Sequence, residues 1–95
     1  MSETVKVGRW NVPKKLLDDY VRFTIMANTY LDPKAEAPSH SSYERRMRWS
    51  LSVEQVMRVH REICQAVGVA YSMEHDDEFY SAFFREVEKQ TRMKG

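Results

Sequence analysis

The chain has 95 residues, 42% of them hydrophobic and 12% aromatic, with a formal net charge of +1. That length fits one domain with a thin core, because a short chain buries a smaller share of its surface than a long one. The apolar content excludes a disordered tail, and 15 basic against 14 acidic residues lack the basic excess of a general polyanion binder.

The charge is spread unevenly. Residues 1–51 carry nine Lys/Arg and six Asp/Glu, a net of +3, whereas residues 52–95 carry six and eight, a net of −2. Cys64 is the sole cysteine, which excludes an intrachain disulfide and, with no signal-peptide pattern, favours a reducing, cytoplasmic setting. No apolar run approaches the roughly 20 residues of a membrane span, so a membrane is not expected among the partners.

In chain order, residues 1–10 read as a flexible or strand-like arm, on the brief alternation of Val5 and Val7. A first helix over about 13–31 follows. Pro13 falls in its first turn, where a missing N–H costs nothing. Leu16, Leu17, Tyr20, Val21, Phe23, Ala27, Tyr30 and Leu31 recur at helical spacing. Asp32-Pro33 ends it, since proline disfavours the α region for the residue before it.

Residues 32–42 form a long loop. Ser41-Ser42-Tyr43-Glu44 then has the pattern of a capping box and opens a short helix over about 42–50. Ser52-Val53-Glu54-Gln55 has the same pattern and opens another, over about 53–67. That helix carries Val53, Val56, Met57, His60, Ile63, Cys64 and Val67 on one face. Gly68 supplies its left-handed stop, with Val69 placed for the accompanying apolar contact. Ser72 is expected to cap a last helix. Glu74, Asp76, Asp77 and Glu78 would crowd its first turns, where the helix dipole favours negative charge. The expected fold class is all-α, a single domain over 1–95 made of three longer helices and one short one in a small bundle, with the arm at the amino end.

Four patterns invite a chemical interpretation. Arg45, Arg46, Arg48 and Trp49 combine phosphate-clamping guanidiniums with a stacking ring, yet the balanced overall charge fits a solvated face or a protein partner better. Ile63 to Val69 resembles the first helix and glycine turn of a helix-turn-helix, but the recognition helix would then open with carboxylates that repel phosphate. Those acids lack the Glu-x-x-His spacing of a carboxylate metal site, and no metal or other cofactor is implied. His60 and Cys64, one turn apart, could pair as base and nucleophile, but no third orienting group can be assigned; core residues are the simpler assignment.

The expectation is therefore a non-enzymatic protein-interaction or regulatory module acting on another protein, with a homodimer favoured. In size and in its lack of a catalytic motif the chain resembles the small accessory or inhibitor proteins that phages and other mobile elements encode, a likeness of class that rests on no shared motif. Tyr20, Phe23, Tyr30, Phe79 and Phe83 would anchor the partner. Arg45, Arg46, Arg48 and Trp49, or the acids Asp76 and Asp77, would select it by charge. The alternative is a nucleic-acid-associated protein using the Arg45–Trp49 segment.

Overall fold

The structure, a computed structural model, describes residues 3–31 and 42–94. Val5 and Val7 alternate with polar residues, as do Trp10 and Val12, so each segment has one apolar face. They pair as an antiparallel hairpin of β1 (Thr4–Val7) and β2 (Trp10–Pro13), with Val5 opposite Val12 and Val7 opposite Trp10. The two-residue turn is Gly8-Arg9. Gly8 sits at φ 59 while Arg9 does not have positive φ, the pattern of a type II′ turn, whose first central position is suited to glycine. An isolated hairpin is marginal in water. This one is held because Val7 and Val12 are buried in the core and the Trp10 ring meets Phe79 edge-on at 5.2 Å.

The strand-like alternative for the arm over 1–10 thus holds at Thr4–Val7, but the segment pairs with β2, is built into the core and is not a free arm. Pro13 closes β2 and does not open a helix. Helix α1 (Lys14–Leu31) starts one residue later, and the Lys14 N–H is taken by the Glu3 carbonyl at 2.9 Å.

The expected helices over 42–50 and 53–67 are one continuous helix, α2 (Ser42–Val67), so no short fourth helix is present among the described residues. The reason is visible at Ser52. Its hydroxyl donates back to the Arg48 carbonyl at 2.8 Å, one turn earlier, and does not cap a new start. Gln55, the box's other half, accepts from Arg58 instead, at 2.6 and 2.9 Å. Ser41, in the first box, lies outside the described residues, as does the loop over 32–41.

Helix α2 ends as expected. Gly68 takes φ 84, and the N–H groups of Gly68 and Val69 both reach the Cys64 carbonyl, at 2.9 and 3.0 Å. The cap of the last helix, α3 (Glu78–Lys94), is Asp77 and not Ser72. Asp77 Oδ2 accepts from the Tyr80 N–H at 2.8 Å, while the Ser72 hydroxyl serves Glu74 within the connection.

Helices α1 and α2 run antiparallel, for Tyr20 lies beside His60 while Tyr30 lies near Arg48. The core forms where this pair meets the hairpin and α3, from Val7, Val12, Leu17, Tyr20, Val21, Val59, Ile63, Phe79, Phe83 and Val87. The molecule measures 43 × 28 × 24 Å, and its long axis is close to the length of α2, about 39 Å at 1.5 Å per residue. No described helix is long and apolar enough to cross a membrane.

Candidate functional site: an apolar cleft at the far end of the helix pair

The expected site residues fall into three separate places. Tyr20, Phe79 and Phe83 are buried: Phe83 stacks on Phe79 at 5.7 Å and meets Tyr20 edge-on at 4.8 Å. They are core residues, which corrects the expectation that they line a partner surface. Asp76 and Asp77 lie in the connection after α2, where Asp77 is occupied as a cap. Phe23, Tyr30, Arg45, Arg46, Arg48 and Trp49 lie towards the other end, where α1 finishes and α2 begins.

That end carries four of the large apolar side chains the core leaves exposed; others, among them Met57, Tyr71, Met73, Phe84 and Met93, lie elsewhere. Tyr43, Met47 and Leu51 recur every four residues along α2 and are 71%, 47% and 54% exposed, and Met26 on α1 is 39% exposed. Between the helices lies an open cleft of about 190 Å³, walled by Phe23, Met26 and Tyr30 from α1 and by Arg48, Leu51, Ser52 and Gln55 from α2. Positions three and seven apart share a helix face, so 23, 26 and 30 make one wall and 48, 51 and 55 the other. Phe23 and Tyr30 are half-buried, and the Arg22 guanidinium lies over the Phe23 ring at 5.0 Å from its centroid.

The polar side chains that line the cleft are Arg48, Gln55, Ser52 and Tyr30, one basic, one amide and two hydroxyl, with no carboxylate among the described ones. Arg48 and Arg46 form no ion pair among the described residues. Arg48 stands on the cleft wall, whereas Arg46 points to nearly the opposite side of α2 at 3.6 residues per turn. Gln55 has its carbonyl engaged by Arg58, which leaves its N–H₂ group to face a ligand. Trp49 is half-buried and Arg45 partly so; neither lines the cleft.

Leu51 and Gln55 line the cleft but are not among the residues the sequence singles out. Leu51 was hidden because two apparent capping boxes put it in a break between helices. The signal that would have found it is the Tyr43, Met47, Leu51 repeat, which makes sense only on one uninterrupted helix.

His60 and Cys64 sit in the core beside the connection between α2 and α3. His60 is fully buried, with Nε2–H donated to the Ser72 carbonyl at 3.0 Å and with Nδ1 unpartnered among the described residues. The rings of Tyr20, Tyr71, Tyr80 and Phe83 surround it at 5.1 to 6.0 Å. Burial pushes its pKa below the ordinary histidine value and pushes the Cys64 thiol up. An activated thiol needs the opposite shift. What the histidine accomplishes here is mechanical: it ties the connection to α2. That connection spans residues 68–77, longer than the three or four residues of a DNA-binding helix-turn-helix. No three His, Cys, Asp or Glu side chains among the described residues are grouped to hold a metal ion.

Comparison with known proteins places no relative beside this architecture: no family model, no curated protein and no solved structure matches the chain.

Proposed function

We propose that this protein is a non-catalytic binding module that seats part of another protein on the exposed end of the α1–α2 pair. The observation that carries this proposal is the stripe of Tyr43, Met47 and Leu51 running beside an apolar cleft whose walls, among the described residues, come from α1 and α2. Contiguous apolar surface on a small protein marks interaction sites, and aromatic residues, methionine and arginine are the types enriched there. Met47 and Leu51 are already about half covered, so burying the rest would contribute about 1 kcal/mol each, a gain the isolated chain forgoes.

The test is differential capture. The wild type, the double variant Met47→Glu/Leu51→Glu and the control Met93→Glu are immobilised and exposed to extract of the native host. Met93 is exposed on α3, away from the cleft. The proposal expects proteins held by wild type and control to be lost, by tenfold or more, from the double variant, with helical circular dichroism unchanged in all three. Equal capture by the double variant would overturn it. A homodimer through the same surface is the competing arrangement, and would appear as a change of mass in light scattering that the double variant abolishes.

A further inference from the structure

We infer that the occupant of the cleft is a short amphipathic helical segment of another protein, with one or two apolar side chains seated between Phe23, Met26, Tyr30 and Leu51 and a carboxylate on Arg48. This rests on the protein-binding proposal above and specifies the partner's chemistry. Size comes first. About 190 Å³ falls short of the roughly 300–1,000 Å³ of small-molecule sites, but it accepts one or two apolar side chains.

Shape comes second. Each wall runs over eight residues of helix, 23 to 30 on one side and 48 to 55 on the other, so the seam is about 10 Å long at a rise of about 1.5 Å per residue. Two turns of a guest helix match that length, with anchors three or four residues apart, as in other helix-in-groove complexes. Phe23 and Tyr30 are half-buried where they line the cleft. An inserted side chain reaches them, whereas a flat lipid surface would not.

Charge comes third. Arg48 stands on the wall without an ion pair among the described residues, and Arg58 holds Gln55 at the other end. A carboxylate on the guest would meet Arg48 bidentately. The same charge disfavours a symmetric second copy on this patch. A two-fold contact brings each surface against itself, and a second copy would offer Arg48 no carboxylate from the described residues that line this cleft.

A displayed library of random helical peptides, selected on wild-type protein and counter-selected on Leu51→Glu, tests this. Phosphatidylcholine–phosphatidylserine vesicles are assayed in parallel. The expected result is enrichment of peptides with Leu, Met or Phe at i and i+3 or i+4, flanked by Asp or Glu. Selected peptides should shift the backbone amide resonances of Leu51 and Gln55 and lose affinity about tenfold, or 1.4 kcal/mol, on Arg48→Glu. Repeating the selection on Arg48→Glu should turn the flanking preference to Lys and Arg. Enrichment of basic or uncharged peptides, or of none, overturns the inference. Basic or uncharged peptides lost on Leu51→Glu would leave the protein-binding proposal standing, while binding to vesicles without any selected peptide would remove both.

Discussion

His60 concentrates much of what a single residue contributes to this fold. It is buried among four rings, and its Nε2–H holds the Ser72 carbonyl. Nδ1 has no partner among the described residues, so protonation would create a buried donor without an acceptor, which is costly. Burial lowers the pKa; the hydrogen bond to Ser72 and the nearby Asp77 charge oppose that and do not overcome it. The folded state thus binds the proton less readily than the unfolded chain. Stability from this residue is complete above the ordinary value of 6.5 and is lost as pH falls from there towards the lower folded value. Thermal unfolding followed across about pH 8 to 5, the range in which histidine titrates, should show the wild type losing more stability on acidification than His60→Gln. Parallel curves would contradict the assignment. The position of His60 in an apolar stripe was legible from spacing alone, but its acceptor, twelve residues away on an irregular connection, was not.

At the level of elements, the capping motifs separate what local sequence decides from what tertiary packing decides. Gly68 stops α2 where the sequence pattern placed the stop, because a left-handed residue is a local requirement that glycine meets at little cost. Ser52 and Gln55 have the residues of a cap, yet the chain stays helical through them, with Ser52 buried in the seam between α1 and α2. Asp77 does cap a helix, though it was expected inside one. These assignments separate by mutation. Asp77→Ala should cost about 1 kcal/mol, the usual loss of an N-cap. Ser52→Ala should cost less than half as much, because alanine is the best helix former and the Arg48 carbonyl retains the Ser52 N–H. Urea unfolding measures both. A loss at Ser52 equal to that at Asp77 would mean that α2 is interrupted there. The hairpin was harder to anticipate: two four-residue strands give only a brief alternation, and Pro13 fits the end of a strand as well as the start of a helix.

On the scale of the whole molecule, α2 is a spine that serves two purposes. Its second half joins the hairpin, α3 and the start of α1 in one core. Its first half, with the last turns of α1, extends beyond that core and leaves Tyr43, Met47, Leu51 and Met26 exposed beside the cleft. Aromatic residues alone could not reveal which positions were surface, since helical spacing is the same for a core stripe and a docking stripe. Tyr20, Phe79 and Phe83 went to the core because α1 and α3 meet there; Phe23 and Tyr30, on the same helix as Tyr20, went to the cleft because no described part of α3 or the hairpin lines that seam. The central claim is that this end is where a partner sits. Hydrogen–deuterium exchange on the protein alone and in a complex co-purified from its host tests it most directly. Protection confined to residues 23–30 and 43–55, with 74–80 unchanged, is the predicted result. Protection of the acidic connection or of α3, with the cleft exchanging as in the free protein, would contradict it.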